Sequence, residues 1–472
     1  VSAFVLTAGL VADVVGGRLA AGTATQVIDS VVTDSRTMRP VMRARDAAGA
    51  MFVALSGPNF DGHNFLSQAV AMGAAALLVS QLPADSGSAA VILVDDVLAA
   101  LQRLGHAVRV RSGTRVVAIT GSAGKTTTKE ATATLLASRY QVFRNVGNLN
   151  NHIGLPLSLI ELRHGPDMAV LELGMNHAGE IRLLTSLAQP DVRVWTNVGN
   201  AHIGHFGSAE AIAAAKAEIL DGATANTLIV ANADDALVMQ HVRAVAHAKV
   251  LTFGQAADAD VRATGIVDRG FDGVTANVTS PLGDLALAVK LPGLGNLSNV
   301  LAAVTVALAH DVQPRDVERE VAALAPVARR GASGLLRSGV RLVDDSYNAS
   351  PAAVIVALQA LAATPVTGRR IAVLGEMREL GDDALLWHER CGRAAAEADV
   401  DVLVAVGGPA ADGLVSGARS AGLSAEYLHR FATSGEAAAA VAGLVVAGDV
   451  VLVKGSRGTR TDIVADHLKA VA

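Results

Sequence analysis

At 472 residues the chain is too long for one ordinary core, and a prior of about 150 residues per domain suggests roughly three domains. Apolar residues make up 51% and aromatics only 3%, so the cores must be built from Ala, Val and Leu, which favours helices layered on parallel strands. A formal net charge of −5 leaves no basic face for nucleic acid and points to small-molecule partners, and the single Cys391 excludes an internal disulfide and fits a reducing compartment.

The chain starts apolar over residues 1–12, but no Lys or Arg precedes that run and Asp13 interrupts it, so a signal peptide is not expected. No apolar run reaches the ~18 residues that span a bilayer. A cytoplasmic, monomeric protein with no membrane span is the expectation. Residues 1–112 read as a small α/β unit, with strands at 27–33, 50–55, 74–79 and 91–94 and helices at 65–72 and 97–110. Two polar turns follow strands there: Thr33-Asp-Ser-Arg36 and Ser56-Gly-Pro-Asn-Phe-Asp-Gly-His63. Loops at strand ends are where such sheets bind ligands, and Arg36 has the fork that grips a diphosphate. The plain alternative is that Asp34-Ser35 and Asp61-Gly62 are turns and nothing more.

After Ser112-Gly113 a new βα alternation begins, the central unit of residues 113–326. Val116 to Ile119 form a β-branched run, Thr120 to Gly124 a tight turn and 125–138 a helix. Gly121 and Gly124 allow the backbone N–H groups of Gly121, Ser122, Ala123 and Gly124, and of Lys125, Thr126 and Thr127 at the helix start, to face a phosphate. Lys125 would reach the outer phosphates and Thr126 would hold Mg²⁺. The first glycine of the usual P-loop is replaced by Ile119, which leaves G-x-x-G-K-T-T. An ordinary αβ turn with a solvated lysine is the alternative. The stretch from Asn145 to Leu155 is polar and glycine-rich and reads as a binding loop. Strands at 169–173 and 192–197 then end near Glu172 and His202 on the P-loop edge, where a carboxylate and an imidazole suit a second metal.

Ser208 caps a helix that carries Glu210 in its first turn and presents Lys216 in a small apolar context. Only seven lysines occur among 39 basic residues, so each has some claim to chemistry that needs a compact ammonium or a free amine, although a surface lysine is the bland reading of Lys216. Residues 250–291 look like antiparallel strands at a sheet edge. Asn296 and Asn299, three apart at a helix start, suit either a purine edge or helix capping. The last unit, residues 327–472, has strands at 340–344, 371–374, 402–406 and 450–453, each running into a polar or glycine-rich loop in a Rossmann-like pattern. No G-x-G-x-x-G with a following acid accompanies them, which argues against a nicotinamide.

Taken together, Thr120-Gly-Ser-Ala-Gly-Lys-Thr-Thr-Thr-Lys-Glu130, Gly147-Asn-Leu-Asn-Asn-His-Ile-Gly-Leu-Pro156, Glu172-Leu-Gly-Met-Asn-His177, Ala201-His202, Ala215-Lys-Ala-Glu218, Asp344-Asp-Ser-Tyr-Asn-Ala349 and Lys454-Gly-Ser-Arg457 resemble the Mur ligases, most closely the MurF type. The resemblance spans all three units in order. It implies an α/β protein of three domains: an N-terminal UDP-sugar-binding domain, a central P-loop ATPase domain with a mostly parallel sheet and a C-terminal Rossmann-like domain. The activity implied is ATP-dependent joining of D-alanyl-D-alanine to UDP-N-acetylmuramoyl-tripeptide through an acyl phosphate, with Mg²⁺. By the same resemblance Asp34, Ser35, Arg36, Asp61, His63 and Asn151 face the UDP-linked substrate. Glu172, His202 and a carbamylated Lys216 join Thr126 at metal, with Lys125, Lys216 and His202 serving catalysis. Asn296 and Asn299 face adenine, Asp345 the ribose and Arg330 the phosphates, while Asn348, Ala349, Lys454, Ser456 and Arg457 lie on the acceptor side.

Three positions depart from the family pattern. Gly295 stands where His is usual, Arg330 lies in Ala328-Arg-Arg-Gly331 with Arg329 as a rival for phosphate, and Ser350 replaces a common Asn. Two rivals remain: a MurE-type amino-acid ligase, whose diaminopimelate-adding members carry an Asp-Asn-Pro-Arg motif absent here, and a catalytically silent nucleotide-binding partner of a wall-synthesis complex.

Overall fold

The computed structural model describes residues 3–38, 48–199, 206–245, 247–326 and 328–471. By contacts the chain forms two compact units. One comprises Val1–Ile119, Arg139–Arg193 and Asp221–Thr227; the other comprises Thr120–Ser138, Val194–Leu220 and Leu228–Ala472. Three large sheets, mostly parallel and covered by helices, make up the architecture. The α/β class expected from the Ala-, Val- and Leu-rich composition is what the chain adopts.

The first sheet has six strands in the order Leu6–Thr7, Val27–Val32, Ala48–Val53, Ala76–Val79, Ala90–Leu93 and Arg18–Ala21. Its two outer strands run antiparallel to their neighbours. These flanking strands and the helix Ala8–Val15 were not expected from the sequence. Thr7 caps that helix by accepting from Leu10 N–H, and Gly16 ends it in the left-handed region at φ 67°. The initial apolar run is thus a short strand followed by a buried helix face of Ala8, Val11, Ala12 and Val15.

The second sheet orders Val142–Arg144, Met168–Glu172, Arg115–Thr120, Val192–Trp195, Leu228–Asn232, Lys249–Gly254, Val261–Asp268, Val274–Thr279 and Leu285–Val289. Its interior strands are buried on both faces, which is why they read as mostly apolar runs, with buried Arg193 the exception in Val192–Trp195. The antiparallel edge starts later than the sequence suggests, because Lys249–Gly254 pairs parallel with Leu228–Asn232. Only from Val261 onward do the strands alternate direction, and Val274–Thr279 and Leu285–Val289 show the in–out burial of a sheet with one wet face.

The third sheet orders Ala332–Leu335, Arg341–Asp345, Val450–Lys454, Arg370–Gly375, Val402–Val406 and Leu428–Phe431. Arg341–Asp345 pairs parallel with Val450–Lys454 so that Asp345 stands opposite Lys454, and both end at the same edge. Apolar clusters cover each face, one built on Val354, Leu358, Leu361, Cys391 and Leu414 and the other on Ala437, Val441, Val464, Ala465 and Leu468. Leu428–Phe431 and the short Ala332–Leu335 are strands beyond those the sequence suggested; the former is only half-buried and alternates Leu, His, Arg and Phe. No helix among the described residues is long and apolar enough to cross a membrane.

Candidate active site

The strand Arg115–Thr120 delivers the glycine turn, and the helix Lys125–Ala137 begins at Gly124. Gly124 has φ 80°, and a β-carbon built there would lie 2.0 Å from Asn299 Oδ1. At Gly121 the corresponding atom would lie 1.9 Å from Thr196 Oγ1. The two glycines are therefore fixed by close approach of neighbouring polar side chains as much as by backbone angle. The first helical bond runs from Thr128 N–H to Gly124 O, so the amides of residues 125–127 lie ahead of it at the positive end of the helix.

The turn itself is held by residues that sequence reasoning missed. Ser122 N–H donates to Asn197 O at 3.0 Å and Ala123 N–H to Asn197 Oδ1 at 2.9 Å. Thr196 Oγ1 donates to Ala123 O at 2.9 Å, and Asn232 Nδ2 in turn donates to Thr196 O at 2.8 Å. Two amides expected to face phosphate are thus engaged by Asn197 in this structure. The signal in the sequence was the polar pair Thr196-Asn197 closing the strand Val192–Trp195 at the P-loop edge. Lys125 Nζ donates to Gly121 O at 2.9 Å, arching back over the turn.

Lys216 is no surface lysine. Its helix, Ala209–Ala217, starts at Ser208, whose hydroxyl accepts from Ala211 N–H, and Lys216 lies on the buried side at 2% exposure. Burial, reinforced by the Lys125 ammonium, pushes its amine well below the ordinary lysine range. The shift favours the neutral amine, the nucleophilic form that takes up CO₂ as a carbamate.

Glu172 closes its strand opposite Ile119 and is 5% exposed. Its amide donates to Asn145 Oδ1 at 3.0 Å and its carboxylate accepts from Asn150 Nδ2 at 2.8 Å, so the polar loop after residue 145 serves in part to orient this carboxylate. Asn151 instead accepts from Ile153 and Gly154 N–H, starting the helix Gly154–Ile160. His202 lies outside the described residues. Among the described residues no three His, Cys, Asp or Glu side chains gather to hold a metal. The remaining expected donors, the Thr126 hydroxyl, the Glu172 carboxylate and a carbamate on Lys216, are the hard oxygen type that Mg²⁺ prefers.

Asn296 Nδ2 donates to Pro292 O at 2.8 Å, so it does not cap its helix as an acceptor; that helix, Leu294–Ala309, has Gly293 at its cap. Asn299 Nδ2 donates to Asn296 Oδ1 at 3.3 Å. Asn299 thus lines the wall of the glycine turn at Gly124, with Asn296 bonded behind it. Of the two arginines before Gly331, Arg329 is committed to ion pairs with Asp462 at 2.7 Å and Asp466 at 2.9 Å. The Arg330 guanidinium stacks 4.3 Å above the Tyr347 ring.

Lys454 Nζ donates to Asp345 Oδ2 at 2.6 Å and to Asn348 O at 3.1 Å. Burial pushes the Asp345 carboxyl up, and the Lys454 ammonium opposes that shift. The Asn348 side chain is exposed, whereas Ala349 is buried. Ser456 Oγ donates to Glu376 O at 2.5 Å, a bond that ties two loops of the third sheet together, and Arg457 is exposed.

In the N-terminal sheet Asp34 accepts from the amide and guanidinium of Arg36, which hold its carboxyl down to about 2. Arg36 is therefore folded onto its own turn, and Ser35 Oγ is buried against Gln68 Oε1 at 2.9 Å. Asp61 accepts from the His63 amide, the Ser56 hydroxyl and the His63 ring, and its carboxyl falls to about 2. His63 Nε2 accepts from Ser80 N–H at 3.1 Å, so Nδ1 carries the proton that faces Asp61.

The glycine turn, Glu172, Lys216, Asn296, Asn299, Asp345 and Lys454 lie in regions that match known domain families. The Mur ligase middle domain matches residues 119–307, and the Mur ligase glutamate ligase domain matches residues 333–457. The chain is 32% identical over 460 residues to the UDP-N-acetylmuramoyl-tripeptide--D-alanyl-D-alanine ligase of Bacillus subtilis (strain 168), covering 97% of each. It superimposes on a crystal structure of MurF from Acinetobacter baumannii with a TM-score of 0.88 at 31% identity, covering 100% of both chains. A MurF ligase from Thermotoga maritima in complex with ADP gives 0.78 at 29% identity, over 93% of this chain and 97% of that one. Likeness at this identity along the whole length, with both domain matches, has one reading: the chain belongs to the Mur ligase family.

Proposed function

We propose that the protein is an ATP-dependent ligase that adds D-alanyl-D-alanine to UDP-N-acetylmuramoyl-tripeptide in peptidoglycan precursor synthesis. The observation that carries the reading is full-length similarity to ligases of that name, including a MurF ligase in complex with ADP, together with the Gly121–Thr127 turn. The proposed division is an N-terminal UDP-sugar-binding domain at 1–112, a central ATP-binding domain at 113–326 and a C-terminal Rossmann-like domain at 327–472. Two of the proposed substrates are nucleotides, which fits work in the cytoplasm, and a monomer is the proposed state.

A carboxylate is a poor electrophile, so the tripeptide carboxylate first attacks the γ-phosphate of ATP and ADP departs. The acyl phosphate that results accepts the free amine of D-alanyl-D-alanine at its carbonyl carbon; phosphate leaves, and the amine loses a proton as the amide forms. Lys125 neutralises charge on the transferring phosphoryl group, and the amides of residues 125–127 receive phosphate oxygens. Thr126, Glu172, His202 and carbamylated Lys216 would hold Mg²⁺, which supplies charge neutralisation at the phosphates when bound. Asn296 and Asn299 line the adenine side, Arg330 and Asp345 the phosphates and ribose. Asp34, Ser35, Arg36, Asp61, His63 and Asn151 serve the UDP-linked substrate, and Asn348, Ala349, Lys454, Ser456 and Arg457 the dipeptide.

The test is phosphate release from ATP with purified UDP-N-acetylmuramoyl-tripeptide against a panel of amino acids and dipeptides. Release that depends on D-alanyl-D-alanine is expected. Release with diaminopimelate on the UDP-N-acetylmuramoyl-dipeptide, and none with the dipeptide acceptor, would overturn the reading in favour of an amino-acid ligase. No turnover with any pair would leave a silent nucleotide-binding protein.

A further inference from the structure

The pair Arg329-Arg330 divides its labour. Arg329 has φ 62°, a region that a β-carbon disfavours, and Gly331 follows at φ 78°, so the backbone bends on both sides of Arg330. Arg329 O accepts from Tyr347 N–H at 3.0 Å and Gly331 N–H donates to Asp344 O at 3.0 Å, which locks the segment against the turn that carries Asp345. A glycine would take the Arg329 backbone shape without strain, yet an arginine stands there, and its side chain reaches two carboxylates four residues apart on one face of the last helix, Asp462–Val471. The same helix returns to the turn through Lys469, whose ammonium lies 2.5 Å from buried Asp344 and 3.6 Å from Asp466, while Ser346 Oγ donates to Asp344 at 2.6 Å. Arg460 adds a weaker contact to Asp462 at 3.8 Å.

We infer that Arg329, Asp462, Asp466 and Lys469 form a clamp in which Arg329 is a positioning residue, holding Arg330 over Tyr347 and the Asp345 turn in register for the nucleotide. The inference rests on the reading of Arg330 as a phosphate-binding group. On this inference the four clamp residues act on ATP only through Arg330. The last helix thereby sets how well the enzyme binds nucleotide, although it follows every motif of the site.

Steady-state phosphate release, titrating ATP and D-alanyl-D-alanine separately, tests this in Arg329→Met, Arg329→Lys, Asp466→Asn, Arg329→Met with Asp466→Asn, and Arg330→Ala. Arg329→Met should raise KM for ATP about tenfold and leave KM for the dipeptide within twofold, with Arg329→Lys recovering part of the loss. Because they break one clamp, the Arg329→Met and Asp466→Asn effects should not multiply in the double variant. Should Arg329→Met fail to fold, Asp466→Asn carries the same expectation on KM for ATP. A folded Arg329→Met or Asp466→Asn with normal KM for ATP, while Arg330→Ala raises it, overturns the clamp and spares the role of Arg330. Normal KM for ATP in Arg330→Ala instead overturns the phosphate reading, and the clamp's purpose with it.

Discussion

Replacing Gly124 by alanine asks one β-carbon to occupy space the structure has filled. The new atom would lie 2.0 Å from Asn299 Oδ1, and φ of 80° is left-handed. A β-carbon in that region costs about 1–2 kcal/mol. Displacing the Asn299 amide forfeits its 3.3 Å bond to Asn296, worth about 0.5–1.5 kcal/mol. The sum, about 1.5–3.5 kcal/mol against the phosphate-ready turn, lowers its population about 10- to 400-fold, and apparent ATP affinity falls by the same factor. Phosphate-release kinetics at saturating acceptor and UDP-linked substrate should therefore show KM for ATP raised into that range, with a melting temperature that confirms folding. Adding Asn299→Ala removes the colliding atom but not the backbone term, so the double variant should regain part of the loss. A folded Gly124→Ala enzyme with KM for ATP within twofold of wild type would refute the argument, and with it the claim that this turn receives phosphate in the shape seen here.

Three further outcomes are expected. Lys216→Ala should be nearly inactive and partly restored by formate or acetate; because burial lowers the amine's pKa, wild-type activity should need no pH near the ordinary lysine value of 10.5, and a requirement for such pH would contradict the carbamate. Asn348→Ala should raise KM for D-alanyl-D-alanine at least tenfold and leave KM for ATP unchanged, measured in the same phosphate assay. His388 donates from Nδ1 to Ala384 O at 2.6 Å and accepts from Met377 N–H at Nε2 at 2.8 Å, and burial lowers its pKa from 6.5. Neutral His388 thus contributes stability that is complete above 6.5 and is lost as pH falls through the lower folded value, so the drop in melting temperature between pH 7 and pH 5 should shrink in His388→Gln.

Most of what a sequence transmits by period and punctuation was legible. The apolar runs of Arg115–Thr120 and Met168–Glu172 and the Ser208 cap all stand where pattern placed them. What stayed hidden was decided by contact between distant stretches. Nothing local tells that Lys216 is buried, since alanines around a lysine suit either face of a helix, nor that Asn197 and Asn299 hold the glycine turn from 74 and 175 residues away in sequence. The parallel pairing of Lys249–Gly254 was lost because a strand's direction leaves no mark on its own residues. Arg329 and Arg330 are adjacent and chemically alike, and only the left-handed backbone at Arg329 separates a clamp from a candidate ligand.

Trp195 has a use beyond packing. It is one of two tryptophans, fully buried, with its ring 5.9 Å from His241 and no partner for its Nε1–H among the described residues. It directly precedes Thr196 and Asn197, which grip the glycine turn. The other tryptophan, Trp387, sits half-buried beneath Arg390 on the third sheet's helix Ala384–Glu397. The chain thus carries a native fluorophore next in sequence to the pair that holds the glycine turn: in Trp387→Phe the remaining emission reports that strand end alone, and a shift in its wavelength or intensity on adding ADP makes nucleotide binding visible without any label.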